Sequence, residues 1–179
     1  MNRYIAMLRG INVSGNNKIV MSELKSGIET IGFHNVVTYL NSGNVVYDSE
    51  ICDKEKMTKV IEEMIKEQFG IDIPVFVIAK TELLEILRQA PDWWDTGDKA
   101  IYDNLIFLIS PLNFENLYSE IGEPKKELEQ IQSVGNAIFW SFCRKDYQKT
   151  NWWAKTANTA SSNRITIRTA GTVKKLVEK

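Results

Sequence analysis

The chain has 179 residues, of which 44% are hydrophobic and 25% are charged, and its formal net charge at pH 7 is −1. This ordinary globular composition excludes a disordered, collagen-like or low-complexity chain. No apolar run approaches the roughly 20 residues that a membrane span needs, and the segment MNRYIAMLRG meets arginine too soon for a signal peptide, so we expect a cytoplasmic protein with no membrane association. Two cysteines and the single His34 give neither a disulfide framework nor a zinc site. We expect no metal and no cofactor.

In the first half, the pattern predicts the order strand, helix, hairpin, helix, strand. RYIAMLRGI is a short apolar run typical of a buried strand, and Ser22 is placed to cap a helix that ends at Gly32. The runs VVTYL and VVYD flank a turn at residues 41–44, where Gly43 can supply the positive φ of a hairpin. Apolar residues over 57–69 repeat at the spacing of an amphipathic helix, and IPVFVIAK returns to a strand.

The second half repeats this order after a connection. Residues 81–90 are typical of a helix, and Pro91 ends it before the acidic loop DWWDTGDKA. The strand NLIFLIS, a short helix, a hairpin with Gly135 and Asn136 at its tip, another helix, the strand RITIRT and a terminal helix follow.

Both halves therefore have the element order βαββαβ. We predict an α+β fold of two ferredoxin-like halves with antiparallel sheets, a connecting helix and a C-terminal helix. The predicted limits are 1–80 for the first half, 81–100 for the connecting helix and acidic loop, and 101–179 for the second half with its terminal helix. Helices cover one face of each sheet, and the other face is available to a partner, a ligand or the second half.

The charge is distributed unevenly along the chain. Residues 140–179 hold nine Lys or Arg and two Asp or Glu, a net charge of +7, which leaves −8 for residues 1–139. A basic segment on an acidic body can steer an anion or a nucleic acid locally, although a pI near 5.9 argues against wholesale nucleic-acid binding. The alternative is a solvated basic surface without a specific partner.

The first candidate site is the glycine loop, Gly10 to Gly15, between the first strand and the first helix. It has the glycine spacing of a nucleotide P-loop, but Asn16 and Asn17 displace Lys18 by two positions from the place that this motif requires. Nucleotide triphosphate hydrolysis is therefore not expected. The loop amides can still bind a phosphate, a carboxylate or a nucleobase edge, together with the side chains of Arg9, Asn12, Asn16, Asn17 and Lys18. A plain connecting loop is the alternative.

The second candidate is the strand RITIRT, where alternation places Arg164 and Arg168 on the face opposite the two isoleucines. If the isoleucines face the helices, the arginines line the exposed side of the sheet, where guanidinium groups suit phosphate and carboxylate. Trp140 could add a stacking surface, as aromatic residues do in readers of single-stranded RNA. The alternative is that both arginines pair with acidic residues of the first half.

The third candidate is the basic segment RKDYQKTNWWAK. Its adjacent residues Trp152 and Trp153 lie about 100° apart around a helix. We expect Trp153 to join the apolar stripe and Trp152 to point elsewhere, beside Lys149 and Lys155, where it can stack on a base or ring. Packing of Trp152 between the two halves is the alternative.

Three segments, LRGINVSGNNKIVM, GFHNVVTYLNSGNVVY and TIRTAGTVKKL, closely resemble the bacterial family called domain of unknown function 1697, over nearly the whole chain. The resemblance implies two ferredoxin-like halves, and the family has no established reaction. Members commonly read Arg-Asn-Trp-Asn-Thr-Val where this chain has Arg-Thr-Ala-Gly-Thr-Val at 168–173, so a tryptophan is lost here. The family's recurrent polar positions fall on Arg9, Gly10, Asn12, Ser42, Gly43, Asn44, Arg168 and Thr172.

Three functions remain open. The leading hypothesis is a two-lobed binding protein in which the glycine loop, the Ser-Gly-Asn turn and the Arg168 strand converge on an anionic ligand, namely a nucleotide, a phosphorylated metabolite or single-stranded nucleic acid. The second is an enzyme that works without histidine, in which Arg9, Lys18 or Arg168 stabilises charge and Ser42 or Tyr39 transfers a proton. The third is an interaction protein whose open sheet face or edges bind another chain, including a copy of itself as a homo-oligomer. The predicted ligand contacts are Arg9, Gly10, Asn12, Asn16, Lys18, Ser42, Gly43, Asn44, Trp152, Arg164, Arg168 and Thr172.

Overall fold

A computed structural model describes all 179 residues of the chain, which form two compact units. The first unit comprises Met1–Leu84 and Lys175–Lys179, and the second comprises Glu85–Lys174. No helix combines the length and the apolar character that crossing a membrane requires.

The first unit contains a four-stranded antiparallel sheet with two helices. Its strands run in the spatial order β2-β3-β1-β4, so β1 lies in the middle, with Ile5 opposite Val46 on one side and Ile78 on the other. A third helix begins directly after the last strand, and its residues from Glu85 onward belong to the second unit. The elements are β1 (Asn2–Leu8), α1 (Met21–Thr30), β2 (His34–Tyr39), β3 (Asn44–Ser49), α2 (Lys54–Phe69), β4 (Val75–Ala79) and α3 (Lys80–Arg88).

Helices α1 and α2 supply the apolar side chains that cover one face of this sheet. Leu24 and Ile28 of α1 and Ile61 of α2 are fully buried in the same cluster as the strand residues Tyr4 and Tyr47. The spacing of these helical residues by three or four positions places them on one side of each helix. The apolar periodicity therefore predicts both helices and the face that each buries.

Helix α1 does not begin where the sequence pattern predicts. Ser22 was expected to cap it, but the helix starts at Met21, so Ser22 already lies within the first turn. The residue at the N-cap position is Val20, with extended backbone (φ −75, ψ 123), and no side chain there accepts a hydrogen bond from the helix. The predicted cap is wrong, and the first amide groups of α1 lack a side-chain partner at this position.

The second unit repeats the topology. Its sheet has the spatial order β6-β7-β5-β8 and is antiparallel, and its core cluster includes Ile106, Trp140, Trp152 and Ile165. The elements are β5 (Ile101–Leu108), α4 (Phe114–Ile121), β6 (Glu129–Val134), β7 (Ala137–Cys143), α5 (Asn151–Thr156), β8 (Ile165–Thr169) and α6 (Ala170–Glu178), of which the residues from Lys175 onward belong to the first unit. The predicted α+β fold of two βαββαβ halves with antiparallel sheets and a C-terminal helix is confirmed.

Candidate functional site

The glycine loop between β1 and α1 is ordered by tight turns. The N–H of Asn16 donates to the carbonyl of Val13 (2.9 Å), and the N–H of Asn12 donates to the carbonyl of Asn17 (3.2 Å). Gly10 and Asn12 both adopt positive φ, 65° and 54°, a conformation that glycine and asparagine tolerate best. The loop thus folds back on itself before the chain enters α1.

The side chain of Asn12 joins this loop to the β2–β3 hairpin. Its Nδ2 donates to the carbonyls of Ile19 (3.0 Å) and Asn41 (2.9 Å), and its Oδ1 accepts a hydrogen bond from the N–H of Ile19 (2.9 Å). Both amide donors are therefore used within the first unit. Asn12, predicted as a ligand contact, positions the loop.

The Ser-Gly-Asn turn lies directly against the end of β1. Gly43 has φ 79°, its carbonyl accepts a hydrogen bond from the N–H of Leu8 (2.8 Å), and a Cβ added to it would lie 2.7 Å from Leu8 Cβ. The Nδ2 of the buried Asn44 donates to the Tyr39 carbonyl (2.9 Å) and to Ser42 Oγ (3.0 Å). The structure therefore brings the glycine loop and this turn together, and the buried polar atoms hold that junction.

A groove of about 520 Å³ opens between the glycine loop, the hairpin and the start of α1. Lys18 is exposed at this groove, and the uncapped N-terminus of α1 contributes Val20 and Met21 to its lining. Unpaired N–H groups and the helix dipole give such a terminus an affinity for negative charge. Glu23 in the first turn also lines the groove and opposes that affinity. The complete lining is Asn12, Gly15, Lys18, Ile19, Val20, Met21, Glu23 and Asn41.

Sequence reasoning found part of this groove. Of the predicted contacts, Asn12 and Lys18 line it, whereas Arg9, Gly10 and Asn16 lie in the same loop outside its lining. Because Ser22 was expected to cap α1, an uncapped helix N-terminus was not expected at this position. The signal that could have found it is the apolar residue Val20, which cannot cap a helix, directly before the helical periodicity.

The predicted arginine strand has a different environment from the one expected. Ile165 and Ile167 pack in the core cluster, which is the condition under which an exposed arginine face was expected, but Arg168 is only 8% exposed, so that expectation is wrong. Arg164 lies outside the strand, in the exposed turn Ser162–Arg164. Strand β8 is too short to include it.

The buried Arg168 keeps its charge near neutral pH. Its Nη1 donates to Thr166 Oγ1 (2.7 Å) and to the Ile167 carbonyl (2.9 Å), and burial lowers its pKa to about 10. Thr172 is also buried, and its N–H donates to Thr169 Oγ1 (3.3 Å) at the start of α6. Ligand contact by Arg164, Arg168 and Thr172 stays a prediction.

The two adjacent tryptophans exchange their expected roles. Trp152 is fully buried and its Nε1 donates to the Gly122 carbonyl (3.1 Å), whereas Trp153 is 42% exposed. The expectation that Trp152 points away from the core is wrong because α5 has only six residues, and its buried positions are Trp152 and Thr156, one turn apart. No three side chains among His, Cys, Asp and Glu are grouped to hold a metal ion.

Comparison with known proteins gives a family and a fold relative. The family described as Protein of unknown function (DUF1697) matches residues 1–139, which include the glycine loop and the Ser-Gly-Asn turn but not the Arg168 segment. A solved structure described as that of conserved bacterial protein SP0830 from Streptococcus pneumoniae is 26% identical, with a TM-score of 0.87, covering 99% of this chain and 97% of that one. No curated protein matches the chain.

Proposed function

We propose that this chain, which belongs to the DUF1697 family, binds a small anionic ligand in the groove of its first unit. The observation that carries the proposal is the uncapped N-terminus of α1, which opens on the same groove as Lys18. Nucleotides, phosphorylated metabolites and single-stranded nucleic acids share the phosphate that such a site would recognise. The proposal is for binding and includes no reaction.

The end of α1 and the Lys18 ammonium both favour an anion at this position. A helix N-terminus carries roughly half an elementary positive charge, and the ten residues of α1 are enough to develop it. The Lys18 ammonium adds a full charge at the mouth of the groove. A carboxylate at Glu23 lies in the first turn of the same helix, so the anion must bind toward the Lys18 side of the helix end.

The groove has room for more than a phosphate group. Its volume of about 520 Å³ falls within the roughly 300–1,000 Å³ of small-molecule sites. Ile19, Val20 and Met21 give it an apolar wall. This combination favours a ligand with one anionic group and an attached apolar or planar body. Arg168 is not required, because its guanidinium is buried in the second unit.

The experiment replaces Val20, which is 57% exposed, by aspartate or by asparagine. Either side chain can cap α1 and stabilise the protein by about 0.5–2 kcal/mol, but only aspartate places a negative charge in the anion site. Ligands are found by thermal shift against inorganic phosphate, nucleoside monophosphates and sugar phosphates. A ligand at 100 times its Kd stabilises the wild type by about 2.7 kcal/mol.

We expect Val20→Asp to raise stability and to abolish the ligand-induced shift, while Val20→Asn weakens the shift less. Lys18→Ala should weaken binding by about tenfold, because it removes one charged contact to the anion. The matched control is Lys59→Ala, which removes the same charge from an exposed lysine of α2 that lies outside the groove. Unchanged binding in both Val20→Asp and Lys18→Ala would overturn the proposal.

A further inference from the structure

A second groove, in the second unit, has a different chemistry from the first. It has a volume of about 260 Å³ and is lined by four aromatic residues and one arginine: Tyr102, Phe142, Arg144, Tyr147 and Trp153. From this groove we infer that the second unit binds single-stranded nucleic acid by stacking one base against Trp153. The inference goes beyond the proposed function, since it uses no residue of the first unit.

The aromatic rings leave a stacking position at Trp153. The Tyr147 ring meets it edge to face at 4.8 Å between centroids (81°), and the Phe142 ring meets it at 5.7 Å (65°). The buried Trp140 ring lies 6.4 Å from it between centroids, tilted by 34°. Neither groove-lining neighbour stacks in parallel on the indole, although 42% of Trp153 is exposed. A planar ring inserted from solvent can therefore stack on it.

The backbone that carries the Trp153 indole is anchored before any ligand binds. The backbone N–H of Trp153 donates to Thr150 Oγ1 (3.3 Å), so the residue lies within the capped first turn of α5. The adjacent Trp152 anchors the same turn in the core. A ligand would not have to order this wall of the groove, which reduces the entropic cost of binding.

Arg144 forms the cationic wall of the groove. Its Cζ lies 4.4 Å from the centroid of the Tyr102 ring, and its Nε donates to the Ile101 carbonyl (3.2 Å). These two contacts orient the guanidinium, and its Nη groups make no hydrogen bond to the protein. Oriented Nη groups at the edge of an aromatic groove suit a phosphate oxygen or the edge of a base.

Charge and size together select the occupant. The groove lies in the basic segment of the chain, with Lys145 exposed beside Arg144 and with a net charge of +7 over residues 140–179. At about 260 Å³ the groove is smaller than the roughly 300–1,000 Å³ of sites for whole cofactors, so it fits a single ring system. A planar ring joined to a chain of phosphates is the complement of these features. Aromatic stacking beside a basic surface is the usual way in which proteins hold single strands without reading their sequence.

The test uses fluorescence anisotropy with a labelled oligothymidylate of about 12 nucleotides, within the site sizes known for single-strand binders. The variants are Trp153→Ala, which removes the stacking surface, and Trp153→Phe, which keeps a smaller one. Arg144→Ala removes the cationic wall of the groove. Lys59→Ala, at an exposed lysine of α2 that lines neither groove, removes one positive charge and is the matched control.

We expect Trp153→Ala to weaken binding by at least about tenfold and Trp153→Phe by less than about threefold. Arg144→Ala should reduce the slope of log affinity against log salt concentration by about 0.7, and Lys59→Ala should leave affinity unchanged. Urea unfolding of each variant shows whether it is folded, and Trp153→Phe keeps the test valid if Trp153→Ala is not. Absence of saturable binding by the wild type at low salt, or equal affinity of the wild type and a folded Trp153→Ala, would overturn the inference. Binding of a peptide, with no binding of the oligonucleotide, would also overturn it.

Discussion

The Asn12→Asp substitution tests how the first groove is built, because it replaces one NH₂ group by an oxygen. The native Nδ2 donates to the carbonyls of Ile19 and Asn41, at 3.0 and 2.9 Å. Aspartate keeps the acceptor for the Ile19 N–H, but it places a carboxylate oxygen against both carbonyls. Two lost hydrogen bonds and the repulsion that replaces them should lower the stability of the loop by about 3 kcal/mol at pH 7.

The pH dependence distinguishes this mechanism from simple loss of contacts. Carbonyl oxygens disfavour the ionised carboxyl, so the pKa of the introduced carboxyl group in the folded variant should lie above its unfolded value of about 3.9. The destabilisation is then complete above the folded pKa and is relieved as the pH falls through it. Asn12→Ala removes all three hydrogen bonds and places alanine at φ 54°, so its loss of stability should not change over the same pH range.

Amide hydrogen exchange at Ile19 is the most direct measurement, since this N–H donates to Asn12 Oδ1 in the native protein. A loss of about 3 kcal/mol corresponds to exchange that is faster by about two orders of magnitude. Protection of Ile19 that stays within about threefold of the wild type in both variants would refute the reasoning. A deficit in Asn12→Asp that does not shrink at acid pH would refute the electrostatic part alone.

Gly43→Ala should lower the free energy of unfolding by about 3 kcal/mol, because it combines a left-handed φ of 79° with a Cβ that has no room. Gly10→Ala, with φ 65° and no atom within 4 Å of the added Cβ, should cost only about 1 kcal/mol in the same urea titration; equal losses would contradict the packing argument. Glu129→Ala should cost about 4 kcal/mol, because the buried carboxylate accepts from the Trp140 indole (3.1 Å) and from backbone N–H groups at the start of α5. All five tryptophans belong to the second unit, so their fluorescence follows this loss, and a change below about 1 kcal/mol would contradict it.

The elements that sequence reasoning predicted well are those whose signals are local. Helix α2 is bounded by residues that act within one turn: Asp53 accepts from the Lys56 N–H, and Gly70 adopts the left-handed conformation that ends the helix. The β2–β3 hairpin is similar, since its turn contains the positive φ of Gly43. With both halves in the order βαββαβ, the antiparallel topology follows from a small set of permitted connections.

The elements that it predicted wrongly are fixed by contacts that residues outside the helix make. Helix α5 has only six residues, so its periodicity cannot show which of its side chains face the core. Its orientation is fixed instead by the backbone N–H of Trp152, which donates to the carboxylate of Glu129 in β6. The start of α1 is set in the same way, because Asn12 binds both backbone groups of Ile19 before the helix begins. Neither contact has a signature in the residues of the helix itself.

The same distinction explains why predicted ligand contacts divide into two groups. The amides of Asn12 and Asn44 donate to carbonyls within the fold, so these two residues have an architectural role. Lys18 is exposed at the groove, and the anion site that we propose there depends otherwise on backbone N–H groups at the end of α1. Every residue except proline carries a backbone N–H group, so the residue types in the sequence do not reveal which of these groups are open to a ligand. The polar side chains of Asn12 and Asn44 therefore show how the loop and the turn are held in place. The uncapped N-terminus of α1 that follows the loop is the group most suited to bind an anion.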